Sequence, residues 1–322
     1  MKTGHGRIGR CCSGMIAAAS LVLATAAPLR IMPFGDSITA WDCRSNAYTS
    51  ADDRPIFNPL NETAGSSLYP AGTYFVSAQG GYRGLLGARL GDPTWEGNGG
   101  SGAGAAAGAG AASGAGAALS VPWSFVGSNF LCGAHEGYAG ETVEWLANRT
   151  AAIVSNAQPD IVLFQAGTND LFWAPPRGTR DPAALAARLR VLLDRAFGAA
   201  PTATFLLSTV TRINATRCAT YSTARWRPPN CPGDMPANIE AYNALLPGVT
   251  AEYRAKGFDI ALHDVNAEAR WGDADYWIWG IHFNVTGFDK MAASWASAIG
   301  KSAPWRRALA QVRLARAHGE VS

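Results

Sequence analysis

The chain has 322 residues, 48% of them hydrophobic and 16% charged, and a formal net charge of +3. It is long and apolar enough to bury one sizeable core, which excludes a disordered or fibrous chain. With so small a charge and no long basic run inside the chain, a nucleic-acid partner is not expected.

Read from the N-terminus, Lys2, Arg7 and Arg10 form a positive start, and Met15 to Ala26 is an apolar run ending in Ala24-Thr25-Ala26. That pattern predicts a secretory signal peptide over 1–26, since the run is short for a membrane span and closes on small residues. The mature chain then begins near Ala27 or Pro28, and the protein is expected to be extracellular. Cys11 and Cys12 leave with the signal, so Cys43, Cys132, Cys218 and Cys231 remain. An even number of cysteines in an exported chain points to disulfides. Cys218 with Cys231, around Pro228, Pro229 and Pro232, is the favoured pair, and it leaves Cys43 with Cys132. Asn61, Asn148, Asn214 and Asn284 each start an Asn-x-Ser/Thr sequon, an acceptor for glycans in an exported protein.

Leu29 to Phe34 is a short apolar run that predicts a buried strand, and it stops at Gly35-Asp36-Ser37. A polar stretch, 42–80, predicts long loops, and Tyr82 to Leu90 a short helix. Gly97 to Ala118 is almost purely Gly, Ala and Ser; it has too little apolar surface to offset its ordering entropy and predicts a disordered insertion. Strands are predicted at Trp123–Val126, Ile161–Gln165, Thr204–Val210 and Phe258–Leu262. Helices are predicted at Glu141–Ser155, Pro182–Phe197, Asn238–Lys256 and Thr286–Ile299. This alternation predicts a single three-layer α/β/α domain over 27–304, with a flavodoxin-like, five-stranded parallel sheet. The tail, 305–322, carries Arg306, Arg307, Arg313 and Arg316 among apolar residues and reads as a surface helix or a frayed extension.

Residues able to do chemistry recur just beyond the predicted strands. Ser37 follows the first strand. Gly140 lies in His135-Glu136-Gly137-Tyr138-Ala139-Gly140 after the second, Asn169 in Gly167-Thr168-Asn169-Asp170 after the third, and His282 in Gly280-Ile281-His282 after the last. In parallel α/β sheets the carboxyl ends of the strands line the binding crevice. In this order and context the blocks resemble the SGNH hydrolase superfamily, the GDSL esterases. Ile31-Met32-Pro33-Phe34-Gly35-Asp36-Ser37, Gly81-Tyr82-Arg83 and Phe125-Val126-Gly127-Ser128 look most like secreted microbial acetyl xylan esterases of carbohydrate esterase family 3. The resemblance covers Leu29 to about Gly300.

It implies a Ser37 nucleophile and a His282 general base, with the Ser37 and Gly140 amides and the Asn169 side chain as the oxyanion hole. Ser37 would attack an ester carbonyl, so that hydrolysis runs through an acyl-enzyme. The imidazole would take the Ser37 proton and hand it to the leaving alcohol. His5, His135 and His263 are weaker candidates for the base, none standing at the late loop-to-helix position.

One block departs from the family. The orienting acid belongs three residues before the histidine, where Trp279 stands. Asp275 or Asp273 could reach back to the imidazole, a backbone carbonyl could orient it in a Ser-His dyad, or activity could be weakened. Trp41, Tyr48, Tyr138, Phe172, Trp173, Tyr276, Trp277 and Trp279 surround the expected crevice and could stack on sugar rings or simply pack. No metal or organic cofactor is implied. The expected partner is an acylated polysaccharide or a small ester, met by a monomer without stable membrane association. A lysophospholipase or general lipid esterase is the alternative enzyme, and a catalytically impaired carbohydrate-binding protein is the alternative of another class.

Overall fold

In a computed structural model the described residues are 27–40, 56–57, 73–74, 81–91, 121–129, 133–220, 231–276 and 280–317. The predicted signal peptide, the 97–118 insertion, Cys43, Cys132, Asn61, His5, Trp41, Tyr48, Trp277 and Trp279 lie outside them. The elements, in chain order, are β1 (Leu29–Gly35), β2 (Ile56–Phe57), β3 (Thr73–Tyr74), α1 (Tyr82–Arg89), β4 (Trp123–Phe125), β5 (Glu136–Gly137), α2 (Val143–Ala157), β6 (Ile161–Gln165), α3 (Thr168–Phe172), α4 (Pro182–Ala199), β7 (Thr204–Ser208), α5 (Ala215–Thr220), α6 (Met235–Ala255), β8 (Ile260–His263), α7 (Val265–Ala269), α8 (Val285–Lys301) and α9 (Ala303–Ala317).

The main sheet runs β4-β1-β6-β7-β8, with parallel pairing throughout. Counting only these strands, the order is the flavodoxin-like 2-1-3-4-5, whose direction switches between β1 and β6. All five expected strands are present. A sixth, β5, pairs with β1 beyond the end of β4, Phe34 opposite Glu136 and Gly35 opposite Gly137. The edge is therefore an interrupted strand: the chain leaves after β4 and returns through an Asn129–His135 bridge.

Successive strand side chains point to opposite faces, and both faces are apolar, as a sheet covered on both sides requires. Met32, Phe34, Val162, Phe164, Phe205 and Leu207 pack in one core layer with α2, α4 and α6. Ile31, Ile161, Leu163 and Leu206 pack in the other with α1 and α8.

Local chemistry sets the helix starts. The Thr142 hydroxyl accepts from the Trp145 amide (3.3 Å) ahead of α2, Asp181 from Ala183 (2.8 Å) ahead of α4, and Asn284 from Gly287 (3.1 Å) ahead of α8. Helix α6 starts at Met235, earlier than the expected Asn238, because Pro236 falls in the first turn, where its missing N–H breaks no bond. The predicted tail is helical as α9, and its Trp305 packs against the α1/α8 layer. Cys218 and Cys231 form the expected disulfide. Among the described residues no helix is long and apolar enough to cross a membrane, and no group of His, Cys, Asp and Glu could hold a metal ion.

Candidate active site

The four residues singled out in the sequence stand at the carboxyl end of the sheet, around the β1/β6 switch. Ser37 sits in the turn that follows β1. The Asp36 carbonyl accepts from the Thr39 (3.1 Å) and Ala40 (2.9 Å) amides, and Asp36 Oδ1 accepts from the Ile38 amide (3.1 Å). An aspartate bonding the amide two residues on makes this turn tight. Ser37 Oγ lies 2.9 Å from His282 Nε2 across 245 residues of chain, and both side chains are buried. Such a distance permits proton transfer in one step.

Gly140 and Asn169 are joined to that turn through the backbone. The Tyr138 amide donates to the Gly35 carbonyl (2.9 Å), which docks the 138–140 turn on the end of β1. Gly140 has φ +81°, a left-handed conformation that a side chain would strain. Its carbonyl accepts from Arg177 Nη2 (2.8 Å), and Asn169 Nδ2 donates to the neighbouring Glu141 carbonyl (2.9 Å). A primary amide carries two N–H donors, so that bond leaves Asn169 one to offer elsewhere. Arg177 was not foreseen in the sequence, because nothing in its neighbourhood marks it as facing Gly140.

Two buried carboxylates underlie this end of the sheet, each next in sequence to a site residue. Asp36 is fully buried, and desolvation pushes its pKa up to about 7 against the Ile38 amide bond, with the Asp170 charge adding to the rise. Asp170 is pushed up to about 6, again by burial, although the Val143 amide (2.8 Å) and Arg188 (3.0 Å) hold its oxygens. Nothing in the sequence around either aspartate marks it as unusual; only burial reveals the shifted titration.

Burial also lowers His282 to a pKa of about 4, so the ring is neutral and able to accept a proton at ordinary pH. The other histidines have other tasks. His135 Nδ1 accepts the Gly137 amide (2.9 Å), and burial beside Arg83 keeps that ring neutral. His263 Nε2 meets Ser294 Oγ at 2.9 Å, the same separation as in the Ser37 pair. Ser294, however, lies inside α8, where backbone amides are already bonded along the helix.

Near the histidine loop, Asp275 Oδ2 accepts from Lys290 Nζ (2.6 Å) and the Gly272 amide (2.7 Å), and Asp273 Oδ1 accepts from Asn214 Nδ2 (3.0 Å). Of the aromatic residues expected around the crevice, Phe172 and Tyr276 are core residues, Tyr276 packed on Phe283 at 5.0 Å. Tyr138 and Trp173 are only partly buried.

A parallel flavodoxin-order sheet with a buried Ser-His pair at its switch point defines a hydrolase of the SGNH class. The chain belongs to the GDSL-like Lipase/Acylhydrolase family, whose sequence model matches residues 90–290. The match spans Gly140, Asn169 and His282 and begins after Ser37. The protein is a carboxylic ester hydrolase acting on acyl esters. Three solved structures share the fold over 84% of this chain. One is an acetyl esterase mutant with acetate ion (18% identity, 96% of that chain, TM-score 0.51). The others are carbohydrate esterases of family 3, from Talaromyces cellulolyticus (18%, 96%, 0.51) and Clostridium thermocellum (19%, 94%, 0.50). No curated protein matches the chain.

Proposed function

We propose that this protein is a secreted serine esterase that removes acetyl or other short acyl groups, with plant-wall polysaccharide as its substrate. The observation that carries the mechanism is the 2.9 Å contact between Ser37 Oγ and His282 Nε2, beside Gly140 and Asn169. His282 takes the hydroxyl proton as Ser37 Oγ attacks the ester carbonyl carbon. The Ser37 and Gly140 amides and the Asn169 amide receive the oxyanion, which donors fixed in advance stabilise without reorganising. As the tetrahedral adduct collapses, the alcohol leaves with the proton from His282 and the acyl group stays on Ser37. Water, deprotonated by the same imidazole, then attacks the acyl-enzyme, and the imidazolium returns that proton to Ser37 Oγ as the C–O bond breaks and the acid is released.

We further propose that His282 works as a dyad rather than with an aspartate. In support, the Asp275 carboxylate is engaged by Lys290 and the Gly272 amide, and the Asp273 carboxylate by Asn214. Export is supported by the leader-like N-terminus and the Cys218–Cys231 disulfide. The substrate class is supported by the carbohydrate esterase neighbours and the half-buried Tyr138 and Trp173 near the site.

The test compares turnover of p-nitrophenyl acetate, a long-chain p-nitrophenyl ester and acetylated xylan, with Ser37→Ala as background. Acetate release from xylan and preference for the short ester are expected, and Asp275→Ala should keep full kcat. Wild-type rates at the Ser37→Ala background would end the serine esterase assignment. Preference for the long ester would move the substrate class to lipids, and a collapse of kcat in Asp275→Ala would replace the dyad by a triad.

A further inference from the structure

The segment that carries His282 leans on α5, a helix no part of the chemistry uses. The Asn214 amide donates to the Gly280 carbonyl at 2.7 Å, two residues before His282. Gly280 has φ +71°, and a Cβ there would run into the Asn214 carbonyl, the Cys218 amide at 2.9 Å and Arg217 Cβ at 3.0 Å. Two of these atoms are backbone and the third is a Cβ fixed directly to it, so none can swing aside. Asn214 also caps α5, its Oδ1 accepting the Arg217 amide (3.0 Å), while its Nδ2 holds Asp273 (3.0 Å). Arg217 Nη1 donates to the Tyr276 carbonyl at 2.6 Å, and the Tyr276 hydroxyl returns a bond to the Arg212 carbonyl at 3.0 Å. Tyr276 in turn bridges to Phe283, the residue after His282.

A six-residue helix has too few turns to hold itself together. Here α5 is fixed from behind: Cys218 is buried and bonded to Cys231, which packs on the α2/α4/α6 core layer. A rigid path therefore runs from the core through the disulfide and α5 to both flanks of the histidine.

We propose that Arg217 is a positioning residue, and that α5, locked by Cys218–Cys231, is a clamp that holds the His282 loop in register with Ser37. Arg217 grips the entering side of the loop at Tyr276, and the Asn214–Gly280 contact grips the side next to the histidine. The inference rests on His282 being the general base. Displacing a reacting group by about 1 Å can lower a rate about 100-fold, so loss of one grip should appear in kcat rather than in KM.

The experiment measures kcat and KM on p-nitrophenyl acetate for Arg217→Ala, Arg217→Gln, Arg217→Lys and the Cys218→Ser/Cys231→Ser double variant. Thermal midpoints and the fraction of chains labelled at Ser37 by a fluorophosphonate are measured alongside. Arg217→Ala should lose about 10- to 100-fold in kcat per labelled site with KM within about twofold. Arg217→Lys, which keeps a charged donor for the Tyr276 carbonyl, should recover most of the loss, and the double cysteine variant should fall as Arg217→Ala does. Arg217→Gln removes the charge while keeping bulk, and decides the matter if the alanine variant does not fold. Wild-type kcat per labelled site in Arg217→Ala or Arg217→Gln, or no recovery with lysine, would overturn the clamp. His282→Ala separates the two levels. If it is inactive while the Arg217 variants are not, only the clamp falls; if it keeps full activity, the base assignment falls with it.

Discussion

Replacing Asp36 by asparagine should make the protein more stable at alkaline pH and less sensitive to pH. Asp36 is fully buried, one oxygen accepts the Ile38 amide, and the other, Oδ2, takes no hydrogen bond. Its pKa is raised from 3.8 to about 7. A raised carboxyl pKa means that the folded chain binds more proton than the unfolded chain between those values. Stability is therefore fully present below about pH 4 and is lost as pH rises to about 7, after which it is flat. Three pKa units at about 1.4 kcal/mol each set an upper figure of about 4 kcal/mol. Asparagine has nearly the same shape and does not titrate, so it removes this loss. Asp170, raised to about 6, works in the same direction and leaves part of the slope in place. Urea unfolding of wild type and Asp36→Asn at several pH values between 4 and 8 measures the difference. The variant should gain on the wild type steadily up to pH 7, by about 2–4 kcal/mol, and then run parallel to it. Parallel stability curves across the whole range would refute the view that Asp36 is a buried carboxyl holding its proton.

Two further predictions concern the chemical step. Asn169→Ala removes one oxyanion donor and should lower kcat about 100- to 1,000-fold, roughly 3 kcal/mol, with little change in KM for p-nitrophenyl acetate. Because burial depresses His282 to about 4, the acid limb of kcat/KM should lie well below the 6.5 of an ordinary imidazole. A protonated ring cannot accept the Ser37 proton, so activity falls as pH drops through that value, and a pH–rate profile with its limb near 6.5 would contradict the burial.

Much of the fold was legible because it depends on local pattern. β1, β6 and β7 are apolar runs bounded by turn residues, and α4 shows apolar positions at helical spacing with Pro182 near its start. Helices α3, α5 and α7, of five, six and five residues, were not foreseen, because a segment that short shows no helical period. β5 was missed for a related reason. Two residues have no strand pattern of their own, and Glu136 and Gly137 become a strand only by pairing with β1.

The site divides in the same way. Ser37, Gly140, Asn169 and His282 could be picked out because each stands in a short motif beyond a strand or before a helix, and the order of the motifs carries the family. What each residue touches is a long-range matter. Ser37 meets a histidine 245 residues away, while His135, in an equally suggestive loop, spends its Nδ1 on the Gly137 amide. Arg177 and Arg217 carry no local mark at all; they matter because the turn after α3 and helix α5 bring them to the Gly140 and Tyr276 carbonyls. The class of fold, the order of the motifs and the chemistry on offer can be read from the residues alone, since they follow from composition, period and residue type. The tertiary structure alone decided which histidine faces the serine, that Asp36 and Asp170 lie buried beneath the site, and what braces the base, because distance and desolvation arise only when remote segments pack together.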